Sequence, residues 1–547
     1  MEDQGDDRLS WGDTVFLNLE REGMPLNVAS LSVLEGDIPF EQYLRFVDSR
    51  LPRIPRYLKR IVPSPLNIGL PRWDYDPHFQ ICNHVREVRL KNGSNAELRA
   101  VMGKVLGKML DRERPLWELT LVRGLKGNRT GLIARMHHCL ADGIAGVGIM
   151  SALMDTTPAV PRLPRRKAGL RVPPPRNGVS SLVDGLASSY SNFTEHLLSA
   201  WSDILNITER TLANGGNQAG AELPSFLPEV TAPTQRLRFN VLYRGPQKFA
   251  CTEIPLAEVK AIREVCKTSV NDVLLALVTA AVQRYCTFHG DSVKGRLLRL
   301  MVPVNLRGNR GDEGLGNHIS LVPVTLPLDI RHPKKLLAAV HTRTEFLKRT
   351  HAAEVISLAA GLLSVVPSPV QSFAGPMISR VPFTPFNMVC TNVPGPQFPL
   401  YVLGHKMLRW YPYVPIGGEM SVNCAILSYD GMVHFGFSGD AHVAPDLTRF
   451  EKFLNLSFDE LKAAAHIQPN TAKASGLSAA RKKRSTQTRS SKSTSGTPAV
   501  AVTPLSVTEA HTFIKPTPFL PVHPAIQTAL KPESIIEEKK VLAQLFA

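Results

Sequence analysis

The chain has 547 residues, 43% of them hydrophobic and 20% charged, so it is too long for one core and is expected to fold as two soluble domains, with room for a third. Its seven cysteines, at 82, 139, 251, 266, 286, 390 and 424, form no CxxC pair, which argues for reduced thiols in a cytosolic protein and against a disulfide framework or structural zinc. The net charge of +17 is concentrated late in the chain, since residues 471–500 carry seven Lys or Arg and no Asp or Glu.

The start, MEDQGDDRLSW, is acidic and has no apolar core of a secretory signal. LNVASLSVL at 26–34 reads as a strand. SNAELRAVMGKVLGKML at 94–110 reads as a helix: Ser94 and Glu97 have capping-box spacing, and Leu98, Val101, Met102, Val105 and Met109 share one face. LWELTLVRGL (116–125) and TGLIARMHH (130–138) read as two strands around the polar turn KGNR. Apolar GIMSALM after Gly143, Gly146 and Gly148 reads as the next helix.

A basic, Pro-rich linker is expected over 160–178 and another linker from about 213 to 235, with a helix over 180–211 between them. A second domain is expected over 236–465. It opens with a buried helix at 270–287, capped by Ser269 with Asp272 three residues on, followed by strands at 296–306 and 319–328. The longest charge-free run, 355–379, contains three prolines and several serines, so a buried helix or a membrane-touching segment is preferred over a span. Residues 466–504, centred on RKKR at 481–484, predict a disordered basic linker. The segment 505–547 ends in a short helix-like stretch that can dock back on the body.

HHCLADG at 137–143 falls where a strand ends, a position from which side chains reach a cleft. An imidazole titrates near neutrality, so His138, with Asp142 four residues on, is the candidate general base. Two readings of Asp142 stand open at this point: it orients the ring directly, or it pairs with an arginine and fixes the loop. Gly143 suits a tight turn or a close backbone approach. A zinc site on His137, His138 and Asp142 lacks a fourth ligand, and no GxSxG nucleophile is present; the nearest stretch is GFSG at 436–439.

HHCLADG also matches the HHxxxDG motif of the bacterial bifunctional wax ester synthase/acyl-CoA:diacylglycerol acyltransferases. Other stretches strengthen the resemblance, in the family's order over about 9–465. They are LSWGDTVFLNLE; PRW at 71–73 with DPHF and His84; PLWE at 115–118; VNDVLLA at 270–276; PVNLR at 303–307 with LGNHIS; and TNVPGP at 391–396. HFGFSGD at 434–440 is a loose echo of the DFGWG signature of plant-type relatives in the wider superfamily. The basic tail and the terminal segment have no counterpart in the family pattern.

The resemblance implies an α+β fold of two-layer sandwich type: two chloramphenicol-acetyltransferase-like domains (1–210 and 236–465, with 211–235 as linker) joined by a crossover, with a channel at their interface. His138 is then the base and His137 supports the loop. Asp142 makes a structural salt bridge, for which Arg307 is the candidate partner and Arg135 another. Asn271, Asp272, Thr391 and Asn392 become candidate substrate or channel residues, against the plainer reading of Asp272 as a helix cap and of TNVPGP as a turn. Asn392 is the candidate oxyanion donor.

The implied reaction esterifies diacylglycerol or a long-chain alcohol with long-chain acyl-CoA as co-substrate, with no bound cofactor and no metal. It would run in the cytoplasm, peripherally on the inner membrane or lipid inclusions. The basic tail has an anionic membrane surface as its expected partner, since no nucleic-acid-binding pattern accompanies it. The alternatives are another condensation-type acyltransferase with a different donor or acceptor, and an inactive lipid-surface protein.

Overall fold

A computed structural model describes residues 7–64, 70–141, 143–160, 234–305, 319–350 and 386–467. The expected helix over 180–211, most of both linkers, the run 355–379, the basic stretch, the segment 505–547, Asp142 and Arg307 lie outside these residues.

In chain order the described elements of the first part are α1 (Trp11–Leu19), β1 (Asn27–Glu35), α2 (Phe40–Arg50), β2 (Lys59–Val62), β3 (Arg72–Tyr75), β4 (Val85–Arg89), α3 (Asn95–Leu106), β5 (Trp117–Leu125), β6 (Arg129–His137) and α4 (Gly143–Ala152). The later part holds β7 (Gln247–Pro255), α5 (Leu256–Cys266), α6 (Val270–Phe288), β8 (Leu297–Asn305), β9 (Ile319–Pro327), α7 (Pro333–Arg349), β10 (Met388–Pro394), β11 (Tyr401–Val402), β12 (His405–Tyr413), β13 (Val422–Tyr429), β14 (Met432–Asp440) and α8 (Arg449–Ala464). No single helix among the described residues is long and apolar enough to cross a membrane.

Twelve of the described strands form two six-stranded mixed sheets, in the orders β11-β12-β1-β6-β5-β4 and β7-β14-β13-β10-β8-β9, and β2 pairs with β3 separately. Residues 401–413, assigned from the sequence to the second domain, therefore belong to the first sheet. There β12 runs antiparallel to β1, pairing Ser32 with Trp410 and Ala29 with Tyr413. From this position β12 also grips the second sheet. The Arg409 Nε and the Tyr411 hydroxyl both donate to Glu253 on β7, at 2.9 Å. Gly436 on β14 lies so close that a Cβ there would stand 1.8 Å from the Pro412 carbonyl oxygen. Gly436 of HFGFSGD thus serves packing at this crossover, whereas Gly439 makes room for Leu447.

Local sequence explains the elements that carry the site. In α6 the Ser269 hydroxyl accepts from Asp272 N at 3.1 Å and Asp272 accepts from Ser269 N at 2.8 Å, a reciprocal cap on a helix that is buried along most of its length. In α3 the Ser94 hydroxyl accepts from Glu97 N as expected. Glu97 does not return the bond to Ser94, however; it accepts from the N–H groups of Lys91, Asn92 and Gly93, closing the preceding loop instead. The β5–β6 turn has Gly127 and Asn128 at positive φ, a conformation these residue types tolerate best.

Candidate active site

β6 delivers the histidine pair. Consecutive side chains at a strand end point to opposite sides, and here they have different surroundings. His137 is fully buried. Its Nδ1 accepts from Cys139 N at 3.1 Å and lies 2.9 Å from the Cys139 sulfur, whose thiol burial keeps protonated. The ring proton therefore sits on Nε2, 3.5 Å from Glu20 Oε2.

Glu20, just past α1, accepts in addition from Leu26 N and from Arg112, each at 3.0 Å. Burial pushes the Glu20 carboxyl upward, but His137, Arg112 and Leu26 together outweigh it and hold it below the ordinary range. Leu26 in turn accepts the His138 N–H at 2.9 Å. A buried carboxylate thus braces both the motif's first histidine and the segment that holds the second. Glu20 closes the stretch LSWGDTVFLNLE, which was the one available signal for it.

His138 stacks on Phe16 of α1, with ring centroids 3.9 Å apart and planes within 10°. Burial lowers its pKa to about 4 against an opposing hydrogen bond to its own backbone, and His137 adds a smaller repulsion. The imidazole is therefore neutral around pH 7, with a lone pair available for a proton.

His138 lines a cavity of about 310 Å³ between the two sheets. One wall comes from β1, β6 and β12, including Val28, Met136 and Trp410; the other comes from β10 and β13, including Val393 and Leu427. Ile144, Val147 and Met150 of α4 close a third side. The surface is largely aliphatic and aromatic, and His138 is the one imidazole among the described lining residues. Gly143 marks where the motif loop meets β10: a Cβ there would stand 3.0 Å from Val393 Cγ2, so the approach suits glycine.

The remaining candidates separate by strand and helix face. TNVPGP is not simply a turn; its first four residues are strand β10, paired in parallel with β13. Thr391 and Val393 share the face toward the first sheet and the cavity. Asn392 also borders the cavity, but its amide is engaged with Asn271, donating to Oδ1 at 3.2 Å. Asn271 therefore braces β10 against α6 and is not itself a cavity-lining residue.

Asp272, expected as a channel residue, is fully buried away from the cavity, where it also accepts from the Thr344 hydroxyl and lies 2.9 Å from His341 Nδ1 of α7. Asp272 thus caps α6 and ties it to α7, and it is not among the described cavity-lining residues. Arg135, considered as a partner for Asp142, is committed elsewhere: it donates to the carbonyls of Val105 and Lys108 and pairs with Glu118 at 3.3 Å. No group of three His, Cys, Asp or Glu able to hold a metal occurs among the described residues.

Comparison with known proteins places this geometry. Residues 9–274 match the family model described as the wax ester synthase/diacylglycerol acyltransferase catalytic domain, and residues 315–462 match that of the WS/DGAT C-terminal domain. The probable diacyglycerol O-acyltransferase tgs1 of Mycobacterium tuberculosis is 26% identical over 482 residues, covering 85% of this chain and 98% of its own. A second from the same species, tgs2, is 28% identical over 471 residues, covering 83% and 98%. Among solved structures, the wax ester synthase/diacylglycerol acyltransferase from Marinobacter aquaeolei VT8 superposes with a TM-score of 0.57 at 24% identity, covering 84% of this chain and 100% of that one. The first condensation domain of the CDA synthetase superposes with a TM-score of 0.53 at 14% identity, covering 83% and 96%. These two likenesses show the mixed α/β fold expected from the sequence.

Proposed function

Because the chain belongs to the wax ester synthase/diacylglycerol acyltransferase family, we propose that it esterifies a diacylglycerol or a long-chain alcohol with the acyl group of a long-chain acyl-CoA, using His138 as general base. The observation that carries this reading is a neutral imidazole set in the wall of an apolar cavity. His138 takes the proton from the acceptor hydroxyl, whose oxygen attacks the thioester carbonyl. The tetrahedral intermediate then collapses: the new C–O bond stays, the C–S bond breaks, and the imidazolium returns its proton to the sulfur of CoA. No acyl-enzyme and no bound cofactor is required, since both substrates need only be held together at the ring.

Thr391, on the cavity face of β10, replaces Asn392 as the proposed donor to the oxyanion, because the Asn392 amide is turned toward Asn271. His137 and Gly143 act as positioning residues, through the Glu20 network and the contact with Val393. Asp142 retains its proposed role as a loop-holding carboxylate with Arg307 as its partner. The acceptor lipids belong to membranes and lipid inclusions, so the protein works peripherally at such a surface on the cytoplasmic side.

Incubating the full chain with palmitoyl-CoA and either hexadecanol or dioleoylglycerol, and resolving the products by chromatography, tests this reading. Wax ester or triacylglycerol is the expected product, and whichever forms identifies the acceptor. Absence of both overturns the proposal.

A further inference from the structure

A second concavity, of about 560 Å³, opens on the face of the first sheet opposite the histidine cavity. Arg135 and Glu118 face it, whereas Ala134, Met136 and His138 line the other cavity. It lies between the end of α3 and the start of β4, and none of the chemistry described above uses it.

His84 forms its buried wall. The ring is 3% exposed and is stacked between Phe79 and Trp117, with centroids at 5.2 and 4.6 Å. Its Nδ1 lies 3.0 Å from the Trp117 carbonyl oxygen, which can only accept, so the ring proton sits there. Nε2 is left as a lone pair, buried and without a hydrogen-bond partner among the described residues. Burial lowers the pKa of the ring, which keeps Nε2 an acceptor at neutral pH. A buried acceptor of this kind is unfavourable unless something donates to it.

The rim supplies positive charge that its carboxylates do not cancel. Glu118 is neutralised by Arg86 at 3.0 Å and by Arg135 at 3.3 Å, Asp111 by Arg114 at 3.2 Å, and Glu87 by Arg123 at 3.0 Å. Lys104, in the last turn of α3, and Lys108, two residues past its end, are exposed and carry no ion pair among the described residues. One wall therefore asks for a hydrogen-bond donor while the rim asks for an anion. A bare anion satisfies only the second.

We propose that this groove binds a phosphate ester that also carries a hydroxyl, a sugar or polyol phosphate. The hydroxyl donates to His84 Nε2 and the phosphate lies between Lys104 and Lys108. Two sources present that chemistry: the ribose phosphate end of CoA and a phosphoglycerol headgroup. Binding is measured without turnover, so this proposal and the acyl-transfer reading can fail separately.

The test is calorimetric titration of the full chain with adenosine 3′,5′-bisphosphate and with glycerol 3-phosphate. Each is paired with a counterpart without the donor: 2′-deoxyadenosine 3′,5′-bisphosphate, which lacks one hydroxyl, and propyl phosphate, which lacks both hydroxyls of glycerol 3-phosphate. At least one hydroxylated ester is expected to bind about tenfold tighter than its counterpart, the value of one hydrogen bond. His84→Asn preserves the bond to the Trp117 carbonyl and removes the Nε2 acceptor, so it should erase that difference, while His84→Gln retains part of it. Lys104→Ala with Lys108→Ala, both exposed, should weaken every phosphate ester without altering the fold, as read by circular dichroism. Selectivity for the bisphosphate assigns the groove to CoA, and selectivity for glycerol 3-phosphate assigns it to a lipid headgroup. Binding of neither ester, equal binding of the hydroxylated and deoxy forms, or indifference to the lysine pair overturns the proposal.

Discussion

Removing the Glu20 carboxylate is the sharpest perturbation of the site's scaffold. Three donors lose their acceptor in Glu20→Ala: Leu26 N at 3.0 Å, Arg112 at 3.0 Å and the His137 Nε2–H at 3.5 Å. Arg112 has a side chain 44% exposed and turns to water at little cost. The other two are shielded, His137 completely, and a stranded buried donor costs roughly 1–3 kcal/mol. The sum is a loss of about 2–6 kcal/mol in unfolding free energy. Glu20→Gln should lose about half as much, since its oxygen still serves Leu26 while its amide opposes Arg112 and His137. Leu26 also accepts the His138 N–H, so kcat should fall about 10–100-fold in Glu20→Ala at temperatures where it remains folded. Urea unfolding and thiol release from palmitoyl-CoA read the two effects. Wild-type stability together with wild-type kcat in Glu20→Ala would refute the bracing role.

Other outcomes follow from the same geometry. A base acts only when unprotonated, so activity should be lost as pH falls through about 4, the pKa to which burial brings His138; an acid limb centred at the ordinary imidazole value of about 6.5 would count against it. Thr391→Val should lower kcat about 100-fold with an unchanged circular dichroism spectrum, whereas Asn392→Ala should lower the unfolding midpoint and spare most of the activity; the reverse pattern would return the oxyanion role to Asn392. Asp272→Ala strands Ser269 N and the Thr344 hydroxyl and should cost about 3 kcal/mol in urea unfolding, leaving kcat/KM per folded molecule near the wild-type value; a selective loss of activity would place Asp272 in the channel after all.

What the sequence made legible was local. The cap of α6 could be read because Ser269 and Asp272 stand at the spacing the first turn requires. The hairpin carrying His137 and His138 could be read because two apolar runs flank a turn rich in Gly and Asn. The crossover strand could not be read, because its partner is β1, some 380 residues earlier in the chain, and nothing local distinguishes first-sheet from second-sheet pairing. The proline and glycine that follow Asn392 suggested a turn, yet parallel pairing with β13 extends the strand through Pro394. Both Thr391 and Asn392 border the cavity, and the bond from the Asn392 amide to Asn271 is what distinguishes them. Glu20 could not be singled out within LSWGDTVFLNLE, because its importance lies in contacts with Arg112 and His137, which only the tertiary fold brings together.

The most direct measurement is the rate of acyl transfer from palmitoyl-CoA by His138→Ala, beside the wild-type chain, with hexadecanol and dioleoylglycerol as acceptors. Among the described residues the cavity lining contains one imidazole, and its removal leaves the Glu20–His137 brace untouched. The expected result is a folded protein with the wild-type unfolding midpoint and no ester product above background. Ester formation at the wild-type rate by folded His138→Ala would contradict the assignment of His138 as the base.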